Sequence, residues 1–158
     1  MRVTPINSAE AVFEPFFDER LNELEHWTVD APGAAGLRLT PSWAFTIYQW
    51  ERPAPDGLVL RMRRSYERLD CGEYDRLLVT INAPEDSRIT LHAETDRGPR
   101  SRAGEPTGPL RREEWLDLAG ATRIHSLTVE VRQARPAAGS GWLLWFGLQH
   151  TGRLPAHL

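Results

Sequence analysis

The sequence contains one cysteine, Cys71, and no lysine. A single thiol excludes an internal disulfide and any cysteine-based metal site, so Cys71 reads as a buried bystander. All 19 basic residues are therefore arginine. Alongside the many Ala, Gly and Pro this reads as coding bias from a GC-rich genome, the alternative being a use of the planar guanidinium fork for carboxylate or sulfate. A formal charge of −3 excludes a general nucleic-acid binder, which needs a surplus of cations. No apolar run is long: the one from Trp142 to Leu148 is far below the roughly 20 residues a membrane helix needs, so no membrane partner is expected. The N-terminus lacks the basic start, apolar run and small-residue cleavage site of a secretion signal, which predicts a cytoplasmic protein, or an extracellular one if the chain is cut from something longer. Catalytic signatures are missing too: there is no G-x-S-x-G, no H-E-x-x-H and no phosphate-cradling glycine loop. The 22 acidic residues offer carboxylate pairs everywhere, and so single out none for glycoside hydrolysis.

What is present is period-two hydrophobicity. At 158 residues, 41% hydrophobic and 26% charged, the chain suits one globular domain, taken as 1–150, with 151–158 as a tail or linker. In DRLLVTIN, Leu77, Val79 and Ile81 alternate with Leu78, Thr80 and Asn82, bounded by Gly72 and Pro84. RITLHAETD sets Ile89, Leu91 and Ala93 against His92, Glu94 and Asp96, and Asp96-Arg97-Gly98 reads as a turn. SLTVEVR sets Leu127, Val129 and Val131 against Ser126, Thr128, Glu130 and Arg132. Further strands are expected at 37–40, 43–50 and 58–64, the first two separated by Pro41. Such spacing predicts an all-β antiparallel sandwich or barrel.

One short helix is expected in EPFFDERLNELEHW, where Phe16, Phe17, Leu21 and Leu24 recur at helical spacing within the lead-in 1–36. The stretch 97–115, rich in Gly, Pro and Arg and without periodicity, reads as a long loop. GSGWLLWFGLQ, apolar on both faces, reads as a central strand flanked on both edges, with Gly147 marking a bulge or a close backbone approach.

Taken together, DCGEYDRLLVTINAP, RITLHAETDRG and IHSLTVEVR leading into GWLLWFGL resemble the galactose-binding-like jelly-roll modules attached to carbohydrate-active enzymes. A pair such as Tyr74-Asp75 opens a central strand there, and an aromatic strand closes the sandwich. The likeness covers roughly residues 37 to 149 and rests on hydrophobic alternation plus a Tyr. It implies a non-catalytic module beside a glycosidase or polysaccharide lyase, sometimes with a structural calcium and no other cofactor. Its ligand residues do not carry over, because those modules place their contacts on variable loops.

Sugars are recognised by aromatic faces with polar groups placed nearby. Tyr48 and Trp50 share one strand face and form a platform if Phe45 and Ile47 point inward; the alternative is packing under the long loop or on a neighbouring domain. His92 and Glu94, in line with Asp96, offer sugar contacts against the plainer reading of solvated outer-face residues, and match no metal signature. Trp115 and Arg97 complete the candidate ligand-binding set. Arg61, Arg63, Arg64 and Arg68, with Arg97, Arg100, Arg102, Arg111 and Arg112 of the loop, suit an anionic ligand such as a uronic acid if they converge; the plainer reading is ordinary surface pairing. Three functions follow: a carbohydrate-binding accessory module with an oligosaccharide or polysaccharide partner, a structural domain docking on an adjacent catalytic domain, or a small stand-alone glycan-active hydrolase or lyase.

Overall fold

The computed structural model describes residues 4–6, 11–14, 27–30, 38–41, 46–50, 59–133 and 139–150. The expected helix falls almost wholly outside them, its first residue Glu14 ending a strand, and the tail beyond His150 falls outside them as well. Among the described residues, twelve strands form two antiparallel sheets. Sheet one holds β1 (Thr4–Ile6), β2 (Ala11–Glu14), β4 (Arg38–Pro41), β5 (Thr46–Trp50), β7 (Arg76–Asn82), β10 (Arg111–Asp117) and β12 (Gly139–His150). Sheet two runs in the order β3 (Thr28–Asp30), β6 (Val59–Asp70), β11 (Arg123–Gln133), β8 (Ser87–Thr95), β9 (Gly98–Ala103).

The aromatic strand β12 is central, as its two-sided apolarity requires. One edge pairs with β7, the other with β5 over Gly139–Leu143 and with β2 over Leu148–His150. The irregularity in its ladder lies between Leu143 and Trp145 rather than at Gly147, which pairs in register with Leu78.

Between the sheets lies one core. Leu77, Val79, Ile81, Leu116 and Leu148 from sheet one meet Leu60, Met62, Ile89, Leu91, Ala93, Leu127, Val129 and Val131 from sheet two. The alternation read from the sequence is the alternation of burial in β8 and β11. Each such side chain contributes roughly 1.5–3 kcal/mol by leaving water. In β7 every residue from Leu77 to Ile81 is buried, because Leu78 and Thr80 are covered on the face away from the core.

Two expectations are corrected. The 97–115 stretch is not one long loop: it forms β9 and β10, joined by residues 104–110. Hydrophobic periodicity misses β9 because it is an edge strand whose half-buried positions are Gly98, Arg100 and Arg102. Arg100 donates to the Asp117 carbonyl and Arg102 to Glu114, so guanidinium groups do the joining that apolar side chains do elsewhere. Pro41 does not separate strands either; it is the last residue of β4 and pairs with Thr46.

A candidate binding cleft at one end of the sandwich

At the end of the sandwich where β6 stops and β7 and β11 start, a cleft of about 440 Å³ is lined by Arg68, Asp70, Gly72, Glu73, Tyr74, Thr122 and Arg123. Two turns build it. In the first, the Tyr74 amide donates to the Cys71 carbonyl at 2.9 Å, setting Tyr74 half-buried against the core. In the second, Ala119 and Gly120 both take positive φ (51° and 78°), and the Ala121 amide closes on the Leu118 carbonyl at 3.0 Å. Asp117 steadies this strained pair by accepting from the Ala119 amide at 2.8 Å. The Cys71 amide, donating to the Thr122 carbonyl at 2.8 Å, ties the turns together.

Asp96 braces the cleft from below. Its carboxylate accepts the Thr122 hydroxyl at 2.6 Å, the Thr122 amide at 2.9 Å and the Arg123 amide at 3.0 Å. These bonds, the hydroxyl foremost, favour the charged form and hold the Asp96 pKa down at about 2. The Cys71 thiol sits behind the wall, pushed up to about 11 by burial and then by the Asp96 and Asp70 carboxylates, which makes it a poor nucleophile. Inside the cleft, Asp70 lies between two guanidinium groups, Arg68 at 3.3 Å and Arg123 at 3.6 Å. An aromatic ring beside fixed donors and acceptors suits a polyhydroxylated ligand, whose ring patches stack and whose hydroxyls both give and take hydrogen bonds.

Of the residues singled out from the sequence, His92, Glu94, Arg97 and Trp115 have described side chains and do not converge. His92 and Glu94 stand on the outer face of sheet two, where His92 Nδ1 meets the Ser101 hydroxyl at 2.7 Å and Nε2 meets Glu94 at 2.8 Å. That Ser–His–Glu chain has the composition of a hydrolase triad, but it lies on an exposed sheet face rather than in the cleft, with both the His92 and Glu94 side chains open to water. Arg97 sits in the β8–β9 turn beside Asp96, at the cleft end of the molecule. Trp115, on β10 in sheet one, has two guanidinium groups over its ring, Arg76 at 4.1 Å and Arg102 at 4.2 Å from the centroid. The ring is therefore already engaged in two cation–π contacts. Tyr48 pairs with Leu39 and Gly141, and Trp50 with Gly139; their side chains are outside the described residues.

Asp70, Thr122 and Arg123 escaped sequence reasoning, and Arg68 enters it only as one of many arginines read as surface pairing. The cue available was the turn chemistry of Asp70-Cys71-Gly72 and Ala119-Gly120, two bends that a single sequence does not bring side by side. Among the described residues no three His, Cys, Asp or Glu side chains converge as a metal site, and no helix is long and apolar enough to cross a membrane.

No protein-family model matches the sequence, and no curated protein does. Solved structures do match. TmCBM61 in complex with β-1,4-galactotriose superposes with a TM-score of 0.60 at 15% identity, over 85% of this chain and 97% of that one. The family 11 carbohydrate-binding module of the Clostridium thermocellum cellulase Lic26A-Cel5E gives 0.54 at 10% identity, over 96% and 100%. The glycoside hydrolase domain of Endo-D from Streptococcus pneumoniae R6 gives 0.56 at 13% identity, over 80% of this chain and 22% of that one. At such identities the likeness is one of architecture: this chain has the β-sandwich fold of carbohydrate-binding modules.

Proposed function

We propose that the chain is a non-catalytic carbohydrate-binding module, accessory to a glycoside hydrolase or polysaccharide lyase, and that its cleft at Tyr74 is the sugar site. The observation that carries this reading is a cleft combining an aromatic ring with guanidinium, carboxylate and hydroxyl groups on a sandwich of this fold. Modules of the same architecture have been solved with a β-1,4-galactotriose and with a β-1,3-1,4-mixed-linked tetrasaccharide, which sets the first ligands to try. The balance of two arginines against Asp70 and Glu73 favours a neutral glycan over a polyanionic one.

Calorimetric titration with neutral and acidic oligosaccharides tests it. Binding of a neutral glycan, weakened about tenfold or more by Tyr74→Ala or Arg123→Ala, is the expected result; a tenfold loss is about 1.4 kcal/mol. Loss instead on Tyr48→Ala or Trp50→Ala moves the site to β5. Silence across the panel removes the sugar reading.

A second reading has one observation in its favour: the match to Endo-D spans about a fifth of a much longer enzyme. On that reading the sandwich packs against a catalytic neighbour in a longer polypeptide. Quenching of Trp50 fluorescence that is the same with and without the neighbouring domain counts against docking through β5.

A further inference from the structure

At the other end of β7, Arg112 is buried, with 5% of its surface exposed. It has no carboxylate partner among the described residues. Its guanidinium points instead at backbone carbonyls: Nε donates to Pro109 at 2.9 Å, Nη1 to Ser87, and Nη2 to Glu85 at 2.9 Å, Pro84 at 3.0 Å and Gly108 at 3.5 Å. Four of these carbonyls belong to two loops, 83–86 between β7 and β8 and 104–110 between β9 and β10, and the fifth, Ser87, opens β8. Three further bonds join the same region: Gly108 amide to Glu85 carbonyl, Ala83 amide to Leu110 carbonyl, and Gly104 amide to Ile89 carbonyl.

A buried charge costs several kcal/mol unless its surroundings replace water. Convergent carbonyl dipoles do so here, and in turn they need a cation, because loop carbonyls brought together with no donor between them repel. Clustered carbonyl oxygens are also the donor type that a hard cation such as calcium takes. Here the cluster is filled by the Arg112 side chain.

We infer that the Arg112 guanidinium is the built-in cation that fastens loops 83–86 and 104–110, in place of a metal ion. The planar fork is essential, because its donors diverge to carbonyls on both loops at once. A lysine ammonium, one point with three donors, cannot span them.

Thermal unfolding and amide exchange on the intact chain test the inference. EDTA and added calcium leave the Tm of the native protein unchanged. Arg112→Ala lowers Tm by about 10 °C, since roughly 3 °C accompanies each kcal/mol in a domain this size. Arg112→Lys recovers less than half of that loss. Methylguanidinium, at concentrations that do not affect the native protein, raises the Tm of Arg112→Ala. In Arg112→Lys, exchange quickens at Gly108 and Ala83 and stays native at Leu118 and Ala121 at the cleft end. An EDTA-induced fall in native Tm that calcium reverses overturns the inference, and so does an Arg112→Lys protein as stable as the native one. Should Arg112→Ala fail to fold, the chelator and lysine measurements decide alone.

Discussion

The two ends of this sandwich use the same side chain in opposite ways. At the cleft end, Arg68 and Arg123 flank Asp70 with their guanidinium groups in water, 68% and 51% exposed. At the other end, about 20 Å away along the seven residues of β7, Arg112 is stripped of water and surrounded by carbonyls. The first arrangement is cheap to make and cheap to break, since solvated ion pairs contribute little and are screened by salt. The second is costly to assemble and strongly resists being opened. A site that must exchange partners belongs where its polar groups are still wet; a pair of loops that must hold still belongs around a buried charge.

The contrast can be broken or sharpened by mutation. The largest effect expected is that of Arg112→Ala. Next comes Gly104→Ala at the same closed end: an added Cβ would lie 2.8 Å from both carboxylate oxygens of Glu114, which Arg102 holds at 2.8 Å. Overpacking of that kind costs about 1–3 kcal/mol, read as a lower urea midpoint with an unchanged slope. A loss as small as that of an exposed surface substitution would show that Glu114 moves aside freely.

At the cleft end the expected change has the other sign. Ala119 holds a positive φ that a Cβ disfavours, so Ala119→Gly raises stability by up to about 1 kcal/mol in chemical denaturation. A loss there would mean that the turn owes its shape to something other than its two positive-φ residues.

Asp96 gives the subtlest signal. Its folded pKa, about 2, lies below the ordinary carboxylate value of 3.8, so its contribution is complete above pH 4 and disappears as pH falls toward 2. Asp96→Asn flattens the stability profile across that window and leaves Arg112 and its loops untouched. An unchanged acid limb in the variant would assign the acid sensitivity to other carboxylates.

The parts of the fold that bury apolar surface were legible in the sequence. Ile89, Leu91 and Ala93, and Leu127, Val129 and Val131, announce their strands because one face of each meets the core. The centrality of β12 was readable for the same reason. β9 was not, since its half-buried side chains are arginines that reach carbonyls and a carboxylate; no period marks that. Nor was the cleft, whose lining comes from two segments, 68–74 and 122–123, that meet because β6 and β11 pair at Asp70 and Arg123. Trp115 shows the limit from another side: its type suggested a stacking surface for sugar, and the fold has already stacked two arginines on its ring.

β9, the outermost strand of its sheet, has one more consequence. Its second residue is Pro99, which offers no N–H, and Arg100 and Arg102 follow at alternate positions. A second copy arriving edge-on meets an interrupted row of donors. Neighbouring molecules would therefore remain separate units instead of fusing into a continuous ribbon.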